Sequence, residues 1–330
     1  MELILTLDVG TTSVKACLFD RQLRQTALTS REYALQTRGV CAEAEAQVYL
    51  DAAAQCILAL PAEARARVCA VALTTQGETL LCVDRQGKAL RPAIVWLDSR
   101  AEAQAARLAA ALDRQRFYER TGLPELSGAL PLAKLLWLRE QEPESWARTD
   151  KFLLLEDYLM LWLTGRAVTE KSLLTSTGYF DLQSDDYWDE ALALAELDRT
   201  RLPQALACGS IVGPVLPEVA EALGLPASAC VVTGAMDQTA AALAAGCTRP
   251  GTLCETTGTA MVAAAFTAHP QFSEDHHVTI YRHAMPGAYL YLPISNTIGM
   301  SLRWFRDEFC RDLDGGYAAL DRHLRRLVFI

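Results

Sequence analysis

No G-x-x-x-x-G-K-[ST] occurs in this chain, which excludes the P-loop as its means of holding a nucleotide phosphate. No C-x-x-C occurs either. The ten cysteines are never closer than seven positions apart, a spacing that argues against a zinc site. Long basic runs are missing and the net charge is −9, so no nucleic-acid groove is expected. The densest basic group, Arg322, Arg325 and Arg326, reads as a solvated helix face. No membrane span is expected: the most apolar stretch, Phe152 to Leu163, is short and interrupted by Glu156 and Asp157. No signal peptide is expected ahead of the first strand. Cys17, Cys69, Cys82, Cys230 and Cys254 lie in apolar, strand-like runs, where cysteine behaves as a small buried hydrophobe. Free thiols suit a reducing cytoplasm, the expected location.

What is present is a chain of 330 residues, 51% hydrophobic, enough for one large or two medium domains. Its opening carries the most chemistry. An apolar strand, Leu3 to Leu7, runs into Asp8-Val9-Gly10-Thr11-Thr12-Ser13, and a second apolar strand leaves. Glycine permits a tight turn whose N–H groups can face an anion, and the hydroxyls of Thr11, Thr12 and Ser13 add donors. Asp8, at the strand end, is placed to hold a hydrated Mg²⁺ beside a phosphate. The bland alternative is an ordinary β-hairpin. A second hairpin of the same type lies downstream, with Thr257-Gly258-Thr259 between two apolar runs. Two such hairpins could grip one triphosphate from opposite sides.

The first 76 residues read as strand, strand, strand, helix, strand: 3–8, 14–20, 26–35, then 43–60, then 68–74. Val48, Ala52, Cys56 and Leu60 mark the apolar stripe of the helix. That order is ribonuclease-H-like, an α/β fold. A hairpin through Arg85–Lys88 follows, then an Ala-rich helix from Arg100 to Arg116 and a helix begun by Pro131. A strand near Ala229–Thr233 feeds Gly234-Ala235-Met236-Asp237-Gln238 and another helix. Gly246 to Gly251 suggests a domain boundary, giving units 1–245 and 246–330. The second unit begins like the first (hairpin, strand, helix) and is expected to be incomplete.

Two ribonuclease-H-like units with a phosphate hairpin in each describe the actin and hexokinase superfamily. Within it the chain resembles the FGGY carbohydrate kinases, the xylulokinases, glycerol kinases and their relatives. The likeness rests on Asp8–Ser13, Thr75-Gln76-Gly77-Glu78-Thr79, Arg91 to Arg100 including Trp96, Gly234–Gln238 and Thr257–Thr259. It implies ATP- and Mg²⁺-dependent phosphorylation of a small-molecule sugar or polyol, in a cleft between two domains. It implies that Asp237 is the catalytic base; read alone, that residue could equally cap a helix. It further implies that Gln76, Glu78, Trp96 and Gln238 bind the substrate, Trp96 by packing on its carbon face. Gly10, Thr11, Thr12, Ser13, Gly258 and Thr259 would take the ATP phosphates, and Asp8 the Mg²⁺ through water. Asp98 and Arg100 read more simply as a structural pair at the rim.

Two departures stand out. Gly77 replaces the Arg of glycerol kinases and the His of xylulokinases, which removes a hydroxyl ligand and is expected to open space. Glycerol is therefore less expected than a ketose, such as a pentulose or hexulose, or a longer polyol. Nothing after Thr297 resembles the loop that holds adenine in the family, so the chain is expected to be C-terminally truncated. Alternatives are a non-catalytic sugar-binding module and, less favoured, an actin-like assembly protein. Whether it forms a homodimer stays open.

Overall fold

The computed structural model describes residues 2–257, 261–275, 277–295, 298–310 and 317. The expected meander forms from β1 (Leu3–Val9), β2 (Ser13–Phe19) and β3 (Gln25–Glu32). In β1 the residues Leu3, Leu5, Leu7 and Val9 are all buried, the two-residue period of a strand with one face on the core. The third strand ends earlier than expected. Tyr33 leaves the sheet and folds over the first turn, its N–H donating to Thr12 O at 2.9 Å and its hydroxyl to Gly10 O.

Helix α1 (Ala46–Ala59) packs on β2 and β3 through Tyr49, Ala52, Ala53, Cys56 and Ile57. Its buried stripe is thus centred beside the one marked by Val48. The main sheet runs Ile211–Pro214, Cys230–Val232, Val68–Thr75, β1, β2, β3. The Cys230–Val232 and Val68–Thr75 strands and β1 are parallel; the outer pairs are antiparallel. This is the order of a ribonuclease-H-like sheet. It brings the carboxyl ends of three parallel strands together, the usual place for ligands on open α/β sheets.

A second sheet orders Gln36–Arg38, Cys41–Ala44, Ala93–Ile94, Leu80–Val83 and Lys151–Leu154. The helix expected from Arg100 to Arg116 is two helices, Glu102–Ala111 and Arg114–Thr121. Asp113 breaks it by capping the second, accepting from Arg116 N at 2.8 Å. Pro131 begins its helix, Pro131–Gln141, as read.

Beyond residue 246 a third sheet orders Leu253–Thr257, Met261–Thr267, Tyr289–Tyr291 and Ile280–Arg282, with Ile294–Ser295 also on Met261–Thr267. Its Ile280, Tyr281, Leu290 and Leu292 share one apolar cluster with Tyr118, Leu182 and Met236 of the preceding chain. Gly122 makes the seam: its φ is +75°, and a Cβ there would fall 2.2 Å from Ile280 O. Only glycine meets both demands.

The cysteines need one correction. Of the five expected to be buried, only Cys82 is; Cys17, Cys69, Cys230 and Cys254 are half-buried, Cys254 packing at the edge of the core. All ten are free. Among the described residues no helix is long and apolar enough to cross a membrane. The Arg322–Arg326 group, Gly258 and Thr259 lie outside the described residues.

Candidate functional site

Three loops at the carboxyl ends of the three parallel strands build the site. β1 ends at the Gly10–Ser13 turn, Val68–Thr75 ends at Gln76-Gly77-Glu78, and Cys230–Val232 leads through Gly234 to Asp237. Asp237 opens the Asp237–Ala244 helix, as its sequence context predicted. It accepts from the Gln238 N–H at 2.6 Å. Burial pushes its carboxyl up to about 6, the Gln238 N–H opposes this, and the charge of Asp8 adds to it. Glu78 in turn feels the charge of Asp237. Asp237 is therefore within electrostatic reach of both Asp8 and Glu78.

At the first turn, Gly10 N donates to Ser13 O at 3.0 Å. That amide closes the turn rather than facing outward, and Gly10 is not left-handed. A Cβ there would meet only Ser13 O, at an ordinary 3.6 Å. The anion-facing donors of this hairpin are thus reduced to Thr11, exposed Thr12 and Ser13. Asp8 is 40% exposed and pairs with Lys15 at 3.3 Å. No cluster of three or more potential metal ligands exists among the described residues.

The opposite end is buried and strained. Glu78 has φ +52°, a left-handed conformation costing a non-glycine residue roughly 1 kcal/mol or more. Burial pushes its carboxyl up to about 7, Lys134 pulls it down, and Asp237 pushes it up. The Tyr281 phenol, from the sheet beyond residue 246, faces this carboxyl closely enough to lower it, while the Glu78 charge pushes the phenol up. Lys134 is fully buried. Its Nζ donates to the carbonyl oxygens of Glu78 (3.1 Å) and Val95 (3.0 Å), so one ammonium pins the loops carrying Glu78 and Trp96. Burial lowers Lys134 to about 8, against the pull of Glu78.

Trp96 is 38% exposed and joins the two ends: its Nε1 donates to Thr11 Oγ1 at 2.9 Å. Gln76 is buried, and neither atom of its amide has a hydrogen-bond partner in range. Gln238 is half-buried beside Asp237. Gly77 does not open free space as expected. A Cβ there would lie 3.0 Å from Ser176 Oγ and 3.6 Å from Met236 Sδ, so those side chains already line it. Asp98 and Arg100 form the structural pair: Asp98 is fully buried and accepts from Arg100 at 2.7 to 3.0 Å and from Ala42 N at 2.6 Å. Burial alone would raise the Asp98 carboxyl, but these donors hold it below its ordinary value.

Sequence reasoning missed Lys134 and Tyr281. Lys134 sits one turn into a Pro-started, leucine-rich helix, where a lysine facing inward is a legible anomaly. Tyr281 carries no local signal, because only the docking of a distant strand brings it to Glu78.

The description "FGGY family of carbohydrate kinases, N-terminal domain" matches residues 3–244. The xylulose kinase of Lactococcus lactis is 30% identical over 318 residues, covering 95% of this chain and 63% of that protein. The gluconokinase of Bacillus subtilis is 27% identical over 312 residues, covering 93% and 60%. The solved xylulose kinase of Rhodospirillum rubrum superposes with a TM-score of 0.88 at 28% identity, covering 97% and 66%. The chain thus spans less than two thirds of the length of these relatives.

Proposed function

The chain belongs to the FGGY family of carbohydrate kinases, and on that premise we propose that it transfers the γ-phosphoryl group of ATP to a hydroxyl of a sugar or polyol, with a ketose such as a pentulose or hexulose favoured. The observation that carries this reading is the place of Asp237 at the start of its helix, within electrostatic reach of both Asp8 and the half-buried Glu78. Phosphoryl transfer needs little more from a protein than positioning, a proton acceptor and charge stabilisation. Held near 6, Asp237 is mostly ionised at neutral pH and takes the proton of the attacking hydroxyl. Glu78, aimed by its left-handed backbone, accepts from neighbouring hydroxyls, and Trp96 offers its face to the carbon skeleton. Gln76 and Gln238 supply further polar contacts.

Thr11, Thr12 and Ser13 face the phosphates, with Gly258 and Thr259 assigned to the opposing hairpin. Asp8 fits a hydrated Mg²⁺: the ion takes one or two carboxylates and completes its shell with water and phosphate. When bound, the ion neutralises charge on the phosphate oxygens. In this reading residues 1–245 hold the sugar and the base, and residues 246–330 begin the nucleotide unit. The test is a coupled ADP-release assay with ATP and Mg²⁺ across ketoses, polyols and aldonates, with Asp237→Asn as control. Turnover of one substrate class, lost in the variant, supports the reading; turnover retained in Asp237→Asn removes it.

A further inference from the structure

Glu156, which interrupts the apolar stretch 152–163, has no role in the reaction as described, yet it is fully buried. So is Glu170. Both reach the turn that carries Asp237. Glu156 Oε1 accepts from Gly234 N at 3.0 Å. Glu170 Oε1 accepts from Met236 N at 3.1 Å, and Ser172 Oγ lies at the same distance from that N–H. Between them, Thr74 Oγ1 donates to Ala235 O at 2.7 Å. A Cβ on Gly234 would fall 1.4 Å from Leu73 O, so the turn sits directly on the Val68–Thr75 strand. The backbone of all three residues before Asp237 is tied to other elements.

The two carboxyls differ in their donors. Glu170 accepts from Ser172 N, Ser172 Oγ, Leu173 N and Met236 N, and Cys208 Sγ lies 2.8 Å from its Oε2. Among the described residues Glu156 accepts from Gly234 alone, and its Oε2 has no partner. The titratable groups facing the pair are Asp157, on the helix of Glu156, and Cys208. Neither supplies positive charge. Two buried carboxylates without a cation do not both ionise, and the proton goes to the one with fewer donors.

We propose that Glu156 and Glu170 form a one-proton carboxyl pair, Glu156 protonated and Glu170 ionised, that positions Asp237 by holding the N–H groups of Gly234 and Met236. They are positioning residues, and the proposal rests on the reading of Asp237 as the base.

The conservative variants separate the two roles. An amide replaces a protonated carboxyl but not an ionised one ringed by donors. Glu156→Gln should therefore retain much more kcat than Glu156→Ala. Glu170→Gln turns an NH₂ towards N–H or S–H groups and should lower kcat by about 10²-fold, the effect of a small misplacement of a reacting group, with sugar KM little changed. Two readouts do not need activity. The infrared band of protonated carboxyl groups should weaken in Glu156→Gln. The pH dependence of unfolding should change as well. Burial and the charge of Glu170 raise Glu156 well above its ordinary 4.5, so the folded chain holds a proton that the unfolded chain releases. Stability then falls as pH rises above 4.5, and Glu156→Gln should flatten that fall while Asp157, Glu78 and Asp237 still contribute. Equal kcat in Glu156→Gln and Glu156→Ala, or an unchanged infrared band and pH–stability slope, overturns the proposal. An active Asp237→Asn would instead remove the reading of the base and leave the carboxyl pair judged by the spectroscopic and stability measurements.

Discussion

The two ends of the candidate cleft are built differently. At the Glu78 end a carboxyl, a buried ammonium and a buried phenol are locked together on strained backbone. At the Thr11 end the groups are half-buried or exposed, and the turn amide of Gly10 is already occupied. The contrast follows the ligands each end is read to take. A neutral sugar can shed its water and reward groups held in advance, because unpaired hydroxyls in a closed pocket are costly. A triphosphate with Mg²⁺ arrives hydrated and brings its own charge, so the protein need only offer donors.

The sharpest break of this comparison lies between the ends. Asp237→Asn should lower kcat by about 10²- to 10⁴-fold while leaving sugar affinity nearly intact, since the amide keeps the shape but takes no proton. Single-turnover kinetics beside calorimetry would show the split, and near-normal turnover would remove Asp237 from the chemistry. At the sugar end, Glu78→Ala should weaken sugar binding by about 1–3 kcal/mol, and unchanged calorimetric affinity would return Glu78 to an ordinary loop role. Lys134→Met leaves the carbonyls of Glu78 and Val95 without their donor and should destabilise the fold by about 1–3 kcal/mol, read from denaturant unfolding.

The smallest effect belongs to the exposed end and is a shift of pH. With Asp237 at about 6, kcat/KM should fall as pH drops through that value, because the base becomes protonated. The charge of Asp8 contributes to that elevation. Asp8→Asn should therefore move the acid limb to lower pH. A limb that stays in place would mean that the two acids do not act on each other.

The parts of the fold that were legible were those fixed by local pattern. Alternating Leu3, Leu5 and Leu7 mark a strand, Pro131 marks a helix start, and Gly234 before Asp237 marks a turn. The break at Asp113 was missed because the alanine-rich run before it and the helix-forming Arg and Gln after it hide a capping aspartate. Gly77 was misread for another reason: emptiness depends on what stands opposite, and Ser176 and Met236 come from elements far away in sequence. Trp96 was singled out, but its bond to Thr11 spans 85 positions and leaves no local trace. Likewise, Glu156 was visible only as an interruption in an apolar stretch. Its meaning depended on Gly234, a residue 78 positions away.

Tyr281 gives the molecule a property that no single site has. Its strand, Ile280–Arg282, pairs with Tyr289–Tyr291, which pairs with Met261–Thr267 of the second hairpin. A ligand that competes for the Glu78 carboxyl must also renegotiate the phenol, and through it the seating of that sheet. On the proposed reading the influence runs both ways by linkage: a ligand on the second hairpin would change the affinity for the ligand on Glu78 by the factor by which this ligand changes its own. On the proposed reading, one tyrosine makes the sugar site and the second hairpin a single thermodynamic unit, in which the order of arrival alters the rates of binding but not the total free energy.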